Sequence, residues 1–84
     1  MQLGTVVGTV VSTRKDDALV GFKLLVLEPL DAGGRRIVAI DTLGAGPSDT
    51  VLYVTGGAAR VGLKPATPVD AAIVGIVDTV DVRP

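Results

Sequence analysis

The sequence predicts an all-β fold: a small five-stranded barrel similar to an OB-fold, with one short helical turn. Two observations predict it. Short runs rich in valine, isoleucine and threonine alternate with clusters of glycine, proline and aspartate, which is the pattern of strands and turns. The 84 residues also suit one small domain, and we take residues 1–84 as that unit.

The first half of the chain contains three of the predicted strands. The first covers residues 2–13, where Gly4 and Gly8 are sites for close backbone approach or a bulge. Asp16-Asp17 marks the following loop, and Asp31-Ala32-Gly33-Gly34 marks a tight hairpin connection. The second strand runs over 23–28 and ends at Pro29, and the third runs over 36–42.

The second half contains a loop, two strands and the helical turn. Residues 44–49 form the loop, and 50–55 the fourth strand. Gly56-Gly57-Ala58-Ala59-Arg60 supports one short helical turn. The proline-rich stretch 64–68 is a stiff connector, and 71–80 is the last strand.

Several strands are apolar on both faces. The runs 24–27, 51–54 and 72–74 do not alternate as strands with one solvated face do. One face fills the interior of so small a barrel. The other face needs a second dry contact, and we expect a neighbouring subunit to provide it.

The composition also favours oligomerisation. A chain this short buries only about 60% of its unfolded surface, so its core is marginal. Yet 48% of the residues are apolar, and there is no cysteine to form a disulfide or a thiolate metal site. Association with further copies is the remaining way to stabilise the fold.

The charge pattern gives no sign of a nucleic-acid or membrane partner. Eight basic and nine acidic residues leave a net charge of −1, with no cluster longer than a pair. No apolar run approaches the roughly 18 residues of a membrane helix. The N-terminal residues lack the basic region of a secretory signal. We therefore expect a cytoplasmic protein.

Few residues are equipped for catalysis. The chain has no histidine and no cysteine, so the commonest general base, metal ligand and thiol nucleophile are missing. Its aspartates adjoin strand ends and turns, where capping or solvated carboxylates are usual. Gly44-Ala45-Gly46 lacks the Gly-Lys-Ser/Thr of a phosphate loop, so a structural turn is the better interpretation. We expect no enzyme activity, no cofactor and no bound metal.

The order of the motifs resembles the EutN/CcmL family of bacterial microcompartment shell vertex proteins over nearly the whole chain. Each motif is weak alone, but their joint order and spacing are specific. The resemblance lies in these runs: Leu3-Gly4 with Val6 to Val11, Thr13-Arg14-Lys15, residues 19–25, residues 38–42 with 44–46, Val51-Leu52, Gly56, Ala58-Ala59-Arg60 and residues 68–78.

The resemblance implies a structural protein in the shell of a carboxysome-like compartment. Five copies would form a ring at each five-fold vertex of the shell, next to hexameric shell proteins. A hexamer is the alternative ring size in this family. The chain departs from the family where Gly56-Gly57 replaces Gly-Ser and where Ser48-Asp49 replaces a glutamate after the glycine loop.

Two sets of residues follow as site predictions. Lys23, Ala59, Arg60 and Asp70 are predicted at the subunit interface, with the two basic side chains bonding Asp41 or Asp70. Small residues suit crowding around a ring axis, so Thr55, Gly56, Gly57 and Ala58 are the pore candidates.

Two other classes of protein remain as alternatives. An OB-like module that binds nucleic acid or a ligand would need a basic face with exposed aromatic rings, and the chain has only Phe22 and Tyr53. A small enzyme subunit would need catalytic groups that the composition does not supply.

Overall fold

A computed structural model describes residues 1–83 as a closed five-stranded barrel. The strands are β1 (Gln2–Val10), β2 (Lys23–Pro29), β3 (Ile37–Asp41), β4 (Thr50–Thr55) and β5 (Ala71–Val77). Two 3-10 turns complete the regular structure, a first turn at Asp17–Leu19 and a second at Gly56–Arg60. No helix in residues 1–83 is long and apolar enough to cross a membrane. The all-β prediction is confirmed.

The strands follow the order β1-β2-β3-β5-β4 around the barrel, and β4 returns to β1. Every neighbouring pair is antiparallel except β3 and β5, which are parallel. Within residues 1–83, Ile40–Ala72 is the only registered pair across that parallel seam. The barrel is therefore most weakly joined between β3 and β5.

Both glycines of β1 act as the sequence predicts. The register of β1 against β2 shifts between Val6 and Gly8, so the expected bulge lies beside Gly8. At Gly4 the backbone passes close to the barrel interior: a Cβ there would lie 3.0 Å from Cε1 of Tyr53 and 3.1 Å from the carbonyl oxygen of Glu28. A side chain at position 4 would therefore displace its neighbours.

The main core fills the barrel. Its largest fully buried side chains are Tyr53, Leu25, Leu27, Val6 and Val51. They occupy alternate positions of their strands, as the two-residue period of a strand requires. The Tyr53 hydroxyl donates a hydrogen bond of 2.8 Å to Oε1 of Gln2, so the one polar atom of this ring has a partner.

A second core lies on the outside of the barrel, within the same chain. Ile40 and Ala72 belong to outward positions of the parallel seam, and they pack with Ala59 of the second 3-10 turn and with Val69. Partly buried side chains surround this cluster: Leu19, Phe22, Leu24, Val54 and Leu63. Part of the two-sided apolar character is thus satisfied inside one protomer, and the expectation that a neighbour covers all of it is wrong.

Five strand boundaries differ from the prediction, and pairing explains them. β3 covers Ile37–Asp41 instead of 36–42, because its pairing with β2 runs from Ile37 to Asp41, which faces Lys23 at the start of β2. β1 ends at Val10 instead of residue 13 because its last partner in β2 is Leu24. β5 ends at Val77 instead of residue 80 because β4 begins at the facing Thr50. β2 includes Pro29, which pairs with Gly4. The first 3-10 turn forms where only a loop was expected, and Asp16 caps it by accepting from the amide of Ala18.

Candidate assembly surface

The described residues offer no group of three or more side chains that could hold a metal ion. Among residues 1–83 the one buried carboxylate is Asp41, and it organises the loop that follows β3. Its oxygens accept from the amides of Leu43, Gly44 and Ala45 at 2.9, 3.1 and 2.8 Å. These bonds compensate for burying the charge, so Asp41 has a structural role.

The same loop is fixed at its far end by Asp49. The Asp49 carboxylate accepts from the amide of Gly46 at 2.8 Å, and its backbone carbonyl accepts from Val6 at 2.9 Å. The amides of Gly44, Ala45 and Gly46 are therefore bound to carboxylates of the protein itself. This supports the interpretation of these glycines as a structural turn instead of a phosphate loop.

The aromatic rings offer no stacking platform. Tyr53 is 1% exposed inside the barrel, and Phe22 is partly buried against the outer core. An OB-like nucleic-acid module needs exposed aromatic rings on a basic face. Neither aromatic side chain of this protein is placed for that contact.

Two of the predicted interface residues make bonds within the protomer. The Lys23 ammonium lies 3.7 Å from Oδ2 of Asp41 and donates a 2.6 Å hydrogen bond to the carbonyl of Ala45. The Arg60 guanidinium donates to the carbonyl of Val69 at 3.0 Å. Lys23 thus has the expected partner Asp41, while Arg60 bonds a backbone carbonyl next to Asp70.

The other two interface candidates differ in exposure. Ala59 is only 4% exposed because it belongs to the outer core of its own protomer. Asp70 is exposed, and its carbonyl accepts from the amide of Gly56 at 2.8 Å. Asp70 therefore has surface available to a partner and Ala59 has almost none; the placement of all four residues at an interface stays a prediction.

The four pore candidates form one exposed corner. Thr55 ends β4, and Gly56, Gly57 and Ala58 begin the second 3-10 turn. Gly56 has a φ of 65°, a conformation that glycine adopts without strain. The corner is small and accessible, but its position relative to a ring axis stays a prediction.

Apolar side chains remain on the outside of the barrel after both cores are formed. By register, Leu3, Leu52 and Gly75 lie side by side across β1, β4 and β5, and we call them the Leu52 strip. Gly8, Val26 and Val38 lie side by side across β1, β2 and β3, and we call them the Val26 strip.

The two strips extend from β1 in opposite directions around the barrel, and further exposed valine and isoleucine side chains lie beside the seam between β3 and β5. Val38 is 46% exposed and Val74 47%, and Ile76 is exposed near the end of β5. None of these residues was predicted individually at the interface, although Val74 belongs to the run 72–74 that was predicted to be apolar on both faces. The non-alternating apolar runs indicated that the outer face of the barrel is apolar. They did not show which of its residues the outer core of the same chain covers.

The chain as a whole matches a known protein family. A family model described as "Ethanolamine utilisation protein EutN/carboxysome" matches residues 1–78. The chain belongs to the EutN/CcmL family. The resemblance inferred from the motif order is confirmed.

Two curated relatives match nearly end to end. The bacterial microcompartment shell vertex protein GrpN of Rhodospirillum rubrum is 48% identical over 96% of this chain and 97% of its own length. The carboxysome shell vertex protein CcmL of Gloeobacter violaceus is 46% identical over 98% of this chain and 87% of its own length.

Solved structures agree with the sequences. The structure of GrpN, described as a pentameric microcompartment shell protein, superposes with a TM-score of 0.89 at 45% identity, covering 99% of this chain and all of that one. The structure of Gloeobacter violaceus CcmL gives a TM-score of 0.87 and covers 98% of this chain and 90% of that chain.

Proposed function

We propose that this protein is a structural subunit of a bacterial microcompartment shell, in which rings of five copies occupy the vertices and close the polyhedron. The observation that carries the proposal is the end-to-end match to shell vertex proteins, including one described as pentameric. We take residues 1–84 as a single vertex domain that acts within the shell, in the cytoplasm.

The surface of the barrel supports a ring. A closed ring with head-to-tail contacts needs two different surfaces on each subunit, one to meet each neighbour. The Leu52 strip and the Val26 strip are two such surfaces: the first is centred on β4 and the second on β2, the two strands that flank β1. Each includes a glycine, where the backbone of a neighbour can approach closely.

The ring size is tested by native mass spectrometry of the purified chain. We expect a species of about five times the 8.5 kDa of one chain. A six-copy species would support the alternative ring size. A monomer at all concentrations would contradict the proposal.

Shell closure is tested by co-expression with a hexameric shell protein, which is the partner class we propose. Hexagonal tiles alone form sheets or tubes, and five-fold corners supply the curvature that closes a polyhedron. Electron microscopy should therefore show closed particles with this protein and open or elongated assemblies without it. Closed particles in both cases would remove the vertex role.

A catalytic role has no support in the described residues. The aspartate nearest to an enzyme-like setting, Asp41, is committed to three backbone amides. We therefore propose that the protein is not an enzyme, and that deleting it leaves the activity of the encapsulated enzymes in a lysate unchanged. Normal shells with lost enzyme activity would contradict this.

A further inference from the structure

We propose that the segment Asp78–Arg83 of one copy docks as an added strand on the open edge of β3 in the next copy. This proposal depends on the five-copy ring proposed above. The segment follows β5 directly and forms no regular structure in its own protomer. It also lies at and beyond residue 78, where the match to the family model ends.

The segment has the pattern of an extended strand with one apolar face. From Thr79 onward, Val80 and Val82 share one face and alternate with Thr79, Asp81 and Arg83; Asp78 has the same parity as the valines and links them to β5. Val82 is 81% exposed and Val80 49%, so Val82 is almost free of contacts within its own chain and Val80 is only half covered. Asp81 and Arg83 lie on the other face, with their charged groups 4.0 Å apart.

The seam between β3 and β5 leaves an open strand edge to receive it. β3 is paired along its whole length with β2, but within residues 1–83 it meets β5 only at Ile40. The stretch Ile37–Ala39 therefore has a strand neighbour on one side only. An unpaired edge of this kind accepts an extended segment through main-chain hydrogen bonds.

A groove runs beside this edge and fits the apolar face of the segment. It has a volume of about 190 Å³ and is lined mainly by Leu19, Leu24, Val38, Ile40, Pro68 and Asp70. Val80 and Val82 would face the apolar lining, while Asp81 and Arg83 would point away from the groove. The groove also adjoins the Val26 strip, because Val38 belongs to both.

The docked segment comes from a neighbouring copy, because within one chain the segment and the groove lie at opposite ends of β5. The groove lies where β5 begins, at Ala71, whereas the segment leaves from the other end of that strand. Seven residues of strand place the two points roughly 20 Å apart. Donor and acceptor at opposite ends of one strand make a head-to-tail contact, which is the type that closes a ring.

A pair of matched substitutions tests the apolar contact. Val82→Asp places a charge on the docking face, whereas Thr79→Asp adds the same charge on the opposite face of the same segment. We expect Val82→Asp to raise the concentration at which rings dissociate by roughly tenfold or more, since a charge is poorly tolerated in an apolar groove. Thr79→Asp should dissociate like the wild type. Equal behaviour of the two variants would overturn the proposal.

Cross-linking identifies the partner and the groove. The chain has no cysteine, so single cysteines are unambiguous probes. Chains carrying Val82→Cys are dissociated, mixed with chains carrying Val38→Cys, reassembled and oxidised mildly. We expect disulfide-linked pairs of the two variants, because docking brings these residues close enough for a bond.

A second cysteine variant provides the control. Leu30→Cys lies at a different groove, of about 430 Å³, that is formed by residues of β1, β4 and the loop after β2. It should not cross-link to position 82. A five-copy ring without the 82–38 link would overturn the docked segment alone, whereas a monomeric wild type would overturn the ring and the docking together.

Discussion

At the scale of single residues, the ionisation of Tyr53 makes the stability of the barrel core depend on pH in the alkaline range. Burial, with a smaller effect of the Asp31 carboxylate, raises the pKa of the Tyr53 hydroxyl above its usual 10.0. The unfolded chain therefore loses this proton at lower pH than the folded protein. Stability from this group is complete below about pH 10 and is lost as the pH rises through the folded pKa.

We expect the denaturation midpoint, followed by circular dichroism at fixed protein concentration, to fall above about pH 10. Tyr53→Phe should flatten this decline while lowering stability at neutral pH by about 1 kcal/mol, through the lost bond to Gln2. An equally steep decline in the variant would assign the alkaline sensitivity to other groups.

Asp41 is the second residue with a measurable individual role. Asp41→Asn keeps the size of the side chain but replaces one acceptor oxygen by a donor group, which cannot serve the amides of Leu43, Gly44 and Ala45 together. We expect a loss of about 2 kcal/mol in the free energy of unfolding.

The partner cation of Asp41 supplies the control. The Lys23 side chain is half exposed and 3.7 Å from the carboxylate, so we expect Lys23→Met to cost less than Asp41→Asn, about 1 kcal/mol including its hydrogen bond to the Ala45 carbonyl. If both variants lost the same stability, the ion pair and not the loop amides would explain the role of Asp41.

At the scale of elements, β1 offers a matched pair of glycines. Gly4→Ala would force a Cβ against the Tyr53 ring and the Glu28 carbonyl, whereas a Cβ at Gly8 would meet Val26 at an ordinary 3.6 Å. We expect Gly4→Ala to lower the free energy of unfolding by about 1–3 kcal/mol and Gly8→Ala to leave it within about 0.5 kcal/mol. Thermal denaturation of both variants as dissociated subunits checks this, because Gly8 also belongs to the Val26 strip; a larger loss at Gly8 under that condition would contradict the assigned packing.

The second 3-10 turn offers two neighbouring alanines with opposite exposure. Ala59→Glu would place a charge in the outer core and should unfold the protomer at moderate temperature, because a buried unpaired charge costs several kcal/mol. Ala58→Glu lies on the exposed corner and should fold normally. Circular dichroism separates folding from ring formation here, and a folded Ala59→Glu monomer would instead place Ala59 at the interface.

The sequence predicted best those elements whose ends are marked by neighbouring residues. The fourth strand, Thr50–Thr55, and the turn at Gly56–Arg60 were predicted with their observed bounds, since a threonine and a pair of glycines mark their ends. The ends of β1 and β5 depend on where Leu24 and Thr50 stop pairing with them. Those ends are set by tertiary contacts that no local pattern records.

The candidate site was less predictable than the fold for a similar reason. The sequence showed that 24–27 and 72–74 are apolar on both faces. It did not show that Ala59 and Val69 fold over Ile40 and Ala72 and bury them inside one chain. The surface left for assembly, including Val38 and Val74, is what remains after that covering.

At the scale of the whole molecule, the exposed corner at Gly57 tests whether the ring axis is open. A Cβ at Gly57 would meet only the end of the Arg60 side chain, at 3.7 Å, so a large side chain can point outward without disturbing the core. If the corner lines the axis, Gly57→Trp should narrow the opening in five copies while shells still close. Substrate entry into purified closed shells, compared with wild type, checks this; Gly57→Ala controls for loss of the glycine alone.

Equal entry rates in shells of Gly57→Trp and wild type would mean that traffic does not pass through the vertex. Shells that fail to close in the tryptophan variant, but close with alanine, would place the corner against a neighbouring subunit instead of on an open axis.

The single tyrosine inside the barrel also makes the protein its own optical probe. The chain contains no tryptophan and one tyrosine, so emission excited in the tyrosine absorption band comes from Tyr53, which is enclosed by its own strands. Emission should therefore follow the opening of one barrel and be insensitive to the separation of rings into subunits. Tyrosine fluorescence would then measure unfolding and native mass would measure association, and neither measurement needs an added label.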